Sequence, residues 1–129
     1  MGVREEIRVP GQPEPISHYT DAVRAGDLLF VSGCVPVDSE GKLVGDGDVV
    51  AQTRQALENV GRVLEAAGVT FADVAKVTVY LTDVDDRPRI NPVRREFFGE
   101  TRPASTLVEV SGLAIPGAKV EIEAVAVVS

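Results

Sequence analysis

The sequence of 129 residues predicts a single α+β domain, residues 1–129, in which two helices pack on one face of a β-sheet. Apolar residues recur at helical spacing from Val49 to Ala67, and short runs rich in β-branched residues precede and follow that segment. The last of these runs, Lys119 to Val128, has one wholly apolar face. A chain of this length buries roughly two-thirds of the surface that it exposes when unfolded, which suits one domain.

The first third of the chain predicts strands joined by turns. Arg4–Val9 is compatible with a short strand, which the prolines at positions 10, 13 and 15 end. Ala22–Ala25 and Leu28–Gly33 form a predicted hairpin, because Gly26-Asp27 is a favourable two-residue turn. Residues 34–47 carry a proline and three glycines and are predicted to be a loop.

The first helix is predicted from Val49 to Ala67. Asp46 or Asp48 can serve as its N-cap, and Gly68 stands just past its end, where a left-handed residue is favoured. This long segment has the clearest helical period in the sequence.

A strand over Val74–Leu81 and a second helix ending at Gly99 follow. Two starts remain open for this helix. Pro88 suits a first turn, and Asn91 suits a cap with Pro92 at the first helical position.

The last quarter predicts two strands, Arg102–Val110 and Lys119–Val128, separated by a turn that contains glycine and proline. On the second strand the face opposite the apolar one begins with Glu121 and Glu123. A carboxylate on a half-buried sheet face costs free energy unless it has a partner. These two residues are therefore the first candidates for a functional site.

The predicted order ββαβαββ places both helices on one face of the sheet. The opposite face includes Val74, Tyr80, Val125 and Val127, and is too apolar to remain in water. Faces of this kind close against another copy or a partner. We therefore expect an oligomer.

Composition disfavours several classes of function. The net charge of −7 argues against a nucleic-acid partner, since affinity for phosphates requires cations. The single cysteine, Cys34, excludes an internal disulfide, and one histidine, His18, leaves few ligands for a transition metal. No metal, cofactor or nucleotide-binding motif is predicted. Acidic residues at 83, 85 and 86 are read as helix caps in preference to a divalent-ion site.

The N-terminal segment Met1–Glu6 has neither the apolar stretch of a signal peptide nor the Ser or Thr of a myristoylation motif. No apolar run approaches the length of a membrane span. We therefore expect a cytoplasmic protein without a membrane partner.

Short segments along nearly the whole chain give more specific information about the protein than its composition does. They are Tyr19 with Ala22-Val23, Gly26-Asp27, Val31-Ser32-Gly33, Gln52–Asn59, Ala66-Ala67-Gly68, Lys76–Asp83, Asn91, Phe97-Phe98, Arg102-Pro103-Ala104 and Val120–Ala124. In this order they resemble the Rid family, also known as the YjgF or L-PSP endoribonuclease family. The resemblance implies a chorismate-mutase-like protomer and a homotrimer whose sheets form a barrel with three clefts between subunits. Archetypal members hydrolyse small enamines and imines to 2-keto acids and ammonia.

The same resemblance implies roles for individual residues. Glu121 matches the catalytic position that holds the attacking water, and Tyr19, Ser32 and Asn91 match positions that line the substrate cleft. No cofactor is implied, because the imine carbon is already electrophilic.

The sequence departs from the family pattern where archetypal members bind the substrate carboxylate. Ser105 follows the Pro-Ala pair in place of arginine, and two residues later Leu107 replaces a frequent cysteine and offers only its backbone carbonyl. The chain thus resembles a non-archetypal member. Among the nearby arginines, Arg102 is the nearest in sequence that can supply a replacement cation.

We therefore predict a deaminase of enamines or imines with an altered substrate range, favouring compounds without a simple α-carboxylate. The alternatives are a trimer that binds a metabolite without turnover and, less favoured, a ribonuclease.

Several individual residues also have a simpler, structural interpretation. Glu123 is read as structural and paired with a lysine or arginine, Ser105 is equally an ordinary strand hydroxyl, Cys34 is read as inert, and His18 has no assigned role.

Overall fold

The computed structural model describes residues 3–129, which form a six-stranded sheet covered on one face by two helices. Met1 and Gly2, where the prediction about the N-terminal segment begins, lie outside the described residues. The elements in chain order are β1 (Arg4–Ile7), β2 (Ala22–Ala25), β3 (Leu28–Cys34), α1 (Val49–Ala66), β4 (Val74–Leu81), α2 (Arg87–Phe98), β5 (Ala104–Glu109) and β6 (Val120–Val127).

The strands lie side by side in the order β1-β2-β3-β6-β4-β5. All neighbours are antiparallel except β4 and β5, which are parallel because α2 returns the chain to the same end of the sheet. Two expectations need correction. Three strands, not two, precede α1, since β1 pairs with β2. Val74, predicted on the uncovered face, is buried in the core, because the pairing of β4 with β6 is irregular between Val74 and Lys76.

The helix boundaries follow the local signals in the sequence. The Asp48 side chain caps α1 by accepting hydrogen bonds from the backbone N–H groups of Val50 and Ala51, and Gly68 has the predicted positive φ of 78°. The second helix begins at Arg87, as the Pro88 alternative predicts. Asn91 therefore lies inside α2 and is not its cap. Within residues 3–129, neither helix combines the length and the apolarity needed to cross a membrane.

The core lies between the helices and one face of the sheet. On β6 the alternate residues Val120, Ile122, Ala124 and Ala126 are all buried, as the alternation in the sequence predicts. The opposite face has no cover within the protomer. Its apolar side chains are exposed to a large extent, and they include Leu28 (40%), Phe30 (45%), Val108 (38%) and Val127 (45%).

A buried amide on α1 ties the helix to two loops. The Gln52 side chain is fully buried, and its Nε2 donates to the carbonyl oxygens of Gly45 and Gly117, each at 3.1 Å. Its Oε1 accepts from the Lys119 backbone N–H at 2.7 Å. The start of β6 is thereby fixed against the start of α1.

Replacing Gln52 by methionine, which has a similar shape, should remove all three hydrogen bonds. We expect the free energy of unfolding to fall by about 1–3 kcal/mol, because the Lys119 N–H and the Gly117 carbonyl lose their partner, whereas the Gly45 carbonyl keeps its hydrogen bond from the Asp48 N–H. The measurement is urea denaturation at a fixed protein concentration. The control Glu58→Met, at an exposed position of the same helix, should change stability much less, and equal effects of the two variants would contradict this role.

Candidate functional site

The candidate site forms where the pairing of β3 and β6 becomes irregular. Val31 pairs with Ala124 and Cys34 pairs with Ile122, so β3 has one more residue than β6 between these pairs. The extra residue makes a β-bulge at Ser32-Gly33. Bulges of this kind change the direction of neighbouring side chains and are common beside active sites.

The bulge makes room for the carboxylate of Glu121. A Cβ atom on residue 33 would overlap Oε2 of Glu121 and would lie 2.9 Å from its Cδ, so any larger residue there would force the Glu121 carboxylate to move. Burial, and then the neighbouring charge of Glu123, raise the pKa of Glu121 above its ordinary value, and no hydrogen bond contributes. Glu121 is thus a half-buried carboxylate without a partner among the described residues. Such a group is suited to accept and return a proton.

Glu123 differs from Glu121 because it has a partner on the neighbouring strand. The Tyr80 hydroxyl donates to Oε1 of Glu123 at 2.6 Å, and this hydrogen bond is the largest cause of the raised pKa of Tyr80. The prediction that Glu123 pairs with a lysine or an arginine is therefore wrong. Glu123 has a structural contact, as predicted, and its charge also acts on Glu121.

An open pocket surrounds the Glu121 carboxylate. Its lining residues are Ile16, Ser17, Tyr19, Val31, Ser32, Gly33, Val35, Ala114, Glu121 and Glu123. Ser32 holds one wall in place, because its hydroxyl donates to the Thr20 carbonyl at 2.6 Å and so fixes the loop that carries Tyr19. His18 is exposed and does not line this pocket. The structure thus brings together three predicted site residues: Glu121, Tyr19 and Ser32.

Cys34 lies beside this pocket and shows no sign of reactivity. Burial, then the charges of Asp21 and Glu121, raise the pKa of its thiol to about 12. The thiolate is the nucleophilic form, so this thiol stays protonated and unreactive at neutral pH, as the sequence predicted.

The other three predicted residues lie elsewhere in the protomer. Ser105 and Leu107 on β5 pair with Val77 and Val79, which face the helices, whereas Glu121 points to the opposite face of the sheet. Leu107 packs against the edge of the core. Asn91 is on α2. One protomer therefore holds two separate groups of predicted residues.

The second group contains an arginine that the sequence analysis did not single out. Nη2 of Arg94 on α2 donates to Oγ of Ser105 at 2.9 Å, and burial lowers the pKa of the guanidinium. Arg102, the cation proposed from sequence proximity, is exposed and precedes β5. The only sequence signal for Arg94 was its place on a helix that leads directly into β5. Gly33 was also missed as a site residue, although the Ser-Gly pair was part of the family pattern.

The fold and the pocket define a class: an α+β domain with two helices on a six-stranded sheet and a free carboxylate beside a β-bulge. Residues 10–128 match the family model described as Endoribonuclease L-PSP. The chain therefore belongs to this family, the Rid family that the sequence segments resemble.

Three relatives place the chain within this family. It is 42% identical to the 3-aminoacrylate deaminase RutC of Acinetobacter baylyi over 95% of this chain and 97% of the relative. It is 39% identical to the mouse 2-iminobutanoate/2-iminopropanoate deaminase, over 97% and 92% of the two chains. The solved structure of E. coli TdcF with bound serine matches with a TM-score of 0.88 and 37% identity, over 97% of this chain and 99% of that one.

The contact between Gly33 and Glu121 predicts a specific coupling between the two positions. Gly33→Ala should lower the free energy of unfolding by about 0.5–1.5 kcal/mol, because the added methyl group forces the end of the Glu121 side chain out of its present position. In a Glu121→Ala background the same change should cost less than about 0.5 kcal/mol. Urea denaturation of the four proteins gives the coupling. Gly112→Ala is the control, since a Cβ there meets nothing within 4 Å; additive effects at 33 and 121 would refute the contact.

Proposed function

We propose that the protein hydrolyses small enamines or imines to a carbonyl compound and ammonia. The observation that carries this proposal is the unpaired, half-buried Glu121 carboxylate with its raised pKa, set in an open pocket beside Tyr19 and Ser32. Two relatives with deaminase names, for 3-aminoacrylate and for 2-imino acids, support it. Because Ser105 stands where archetypal members have arginine, the substrate range is expected to differ from theirs.

The pocket fits a general acid–base mechanism. An enamine first becomes the protonated imine by taking a proton from solvent on carbon, and an imine reaches the same species by taking a proton on nitrogen. Glu121 then accepts a proton from water as the water oxygen attacks the imine carbon, and returns it to the nitrogen of the resulting amino alcohol. The C–N bond breaks, ammonia leaves, and loss of the hydroxyl proton gives the carbonyl product. The raised pKa of Glu121 favours the return of the proton to nitrogen, because burial and the charge of Glu123 make the protonated carboxyl group easier to form than in an ordinary glutamate.

We further propose that the active cleft lies between subunits of a homotrimer. Two facts support this. The predicted site residues fall into two groups on different faces of one protomer, and the uncovered sheet face carries exposed Leu28, Phe30 and Val127. An assembly that buries this face in a closed ring joins the first group of one copy to the second group of the next.

The two other functions fit the pocket less well. Ribonuclease activity, which the description of the family model names, requires RNA to approach Glu121 and Glu123 on a chain of net charge −7. These carboxylates repel phosphate groups. A binding protein without turnover would have the same pocket, and the role of Glu121 distinguishes it from an enzyme.

Glu121→Gln should abolish most turnover while substrate binding is retained, with a loss of roughly 10²–10⁴-fold in kcat. The measurement is ammonia release from freshly generated 2-iminopropanoate and from 3-aminoacrylate, corrected for hydrolysis without protein. Wild-type activity should fall as the pH drops through the raised pKa of Glu121, because protonation removes the base. The exposed Glu58→Gln is the control. Undiminished turnover by the Glu121 variant would leave this carboxylate without a catalytic role.

Phe30→Asp should disrupt assembly, because it places a charge in the proposed interface. We expect the wild type to have the mass of three 13.7 kDa chains in analytical ultracentrifugation, and the variant to have the mass of one. Turnover should fall with the loss of the trimer, although Phe30 does not line the pocket. Val84→Asp, at an equally exposed site away from the sheet, is the control. A monomeric wild type with full activity would rule out the shared cleft.

A further inference from the structure

Arg94 is a partly buried cation without an acidic partner. The ion pairs of the described chain include those of Arg54 with Glu96 and of Arg89 with Asp86. Within residues 3–129, no carboxylate lies at ion-pair distance from Arg94. Its one side-chain hydrogen bond goes to the neutral hydroxyl of Ser105.

This arrangement leaves most of the binding capacity of the guanidinium unused. A guanidinium carries five N–H donors in a plane, and a single hydroxyl oxygen satisfies one of them. Partial removal of water from a cation costs free energy, and a neutral partner compensates for little of it. The planar group is well suited to bind the two oxygens of a carboxylate. Arg94 therefore has the properties of an anion-binding residue whose anion comes from outside the protomer.

Ser105 adds a second donor to the same place. Its oxygen accepts from Arg94, so its own hydroxyl proton is available to another acceptor. Ser105 is exposed on β5, the edge strand of the sheet, so a ligand can reach it. Asn91 lies one helical turn before Arg94, so the two residues are neighbours on the surface of α2.

We propose that Arg94 and Ser105 together bind the carboxylate of an anionic enamine or imine substrate. This inference rests on the proposed function, since it sets the pair across a subunit boundary from Glu121. It assigns the replacement cation to α2, not to Arg102. The predicted preference for compounds without a carboxylate is thereby reversed, because the charge absent from position 105 is supplied by a neighbouring helix.

The test compares two substrates that differ only in charge, 2-iminopropanoate and the uncharged 2-iminopropanamide, each generated freshly. Arg94→Ala should raise KM for the carboxylate roughly 10- to 100-fold, with little change in kcat and little change for the amide. Arg94→Lys should restore part of the loss, and Ser105→Ala should raise KM several-fold. Arg95→Ala, an exposed arginine on the same helix, is the matched control, and thermal unfolding checks each variant.

A direct measurement of the binding of pyruvate, the carboxylate product, shows whether the anion site or the proposed deaminase activity is wrong. If the wild type deaminates 2-iminopropanoate and Arg94→Ala has an unchanged KM, the inference is overturned and the function stands. Equal losses on both substrates also overturn it, since Arg94 is then structural. If the wild type turns over neither substrate but binds pyruvate, and Arg94→Ala does not, the anion site stands and the deaminase proposal fails.

Discussion

The central position of β6 is the constraint on which the rest of the structure depends. This strand pairs with β3 on one side and β4 on the other, and its alternate residues Val120, Ile122, Ala124 and Ala126 are buried beneath the helices. A slip of one residue would put Glu121 and Glu123 into the core and expose the apolar set. The core therefore fixes the position of both carboxylates on the uncovered face. The location of the candidate site follows from packing before any chemistry is considered.

The β-bulge gives the carboxylates of Glu121 and Glu123 different surroundings. Both lie on the same face of β6, but only Glu121 lies against Gly33, where the missing side chain leaves space for a carboxylate. Glu123 receives the Tyr80 hydroxyl, and Glu121 receives no hydrogen bond. Burial without a donor raises the pKa of Glu121. The same neighbour, Glu123, raises it further because two negative charges lie close together.

The sequence predicted what depends on local pattern and missed what depends on distant contacts. Helical spacing and the Gly68 cap gave α1 to within a residue, and strand alternation singled out Glu121. Pairing order was not predictable, since nothing in Arg102–Val110 shows that β4 lies between it and β6. The bond between Tyr80 and Glu123 spans 43 residues. Arg94 and Ser105 are only 11 residues apart, but their contact depends on how α2 packs beside β5.

The two groups of site residues are complementary in charge. The pocket group has a half-buried carboxylate without a cation, and the α2–β5 group has a partly buried cation without a carboxylate. Each group alone bears an uncompensated cost of desolvation. A substrate with a protonated imine at one end and a carboxylate at the other offsets both costs, provided that Glu121 meets the nitrogen and Arg94 meets the carboxylate. In the proposed trimer, such a substrate contacts Glu121 of one subunit and Arg94 of the next. Substrate binding therefore stabilises the trimer, and the trimer in turn strengthens substrate binding.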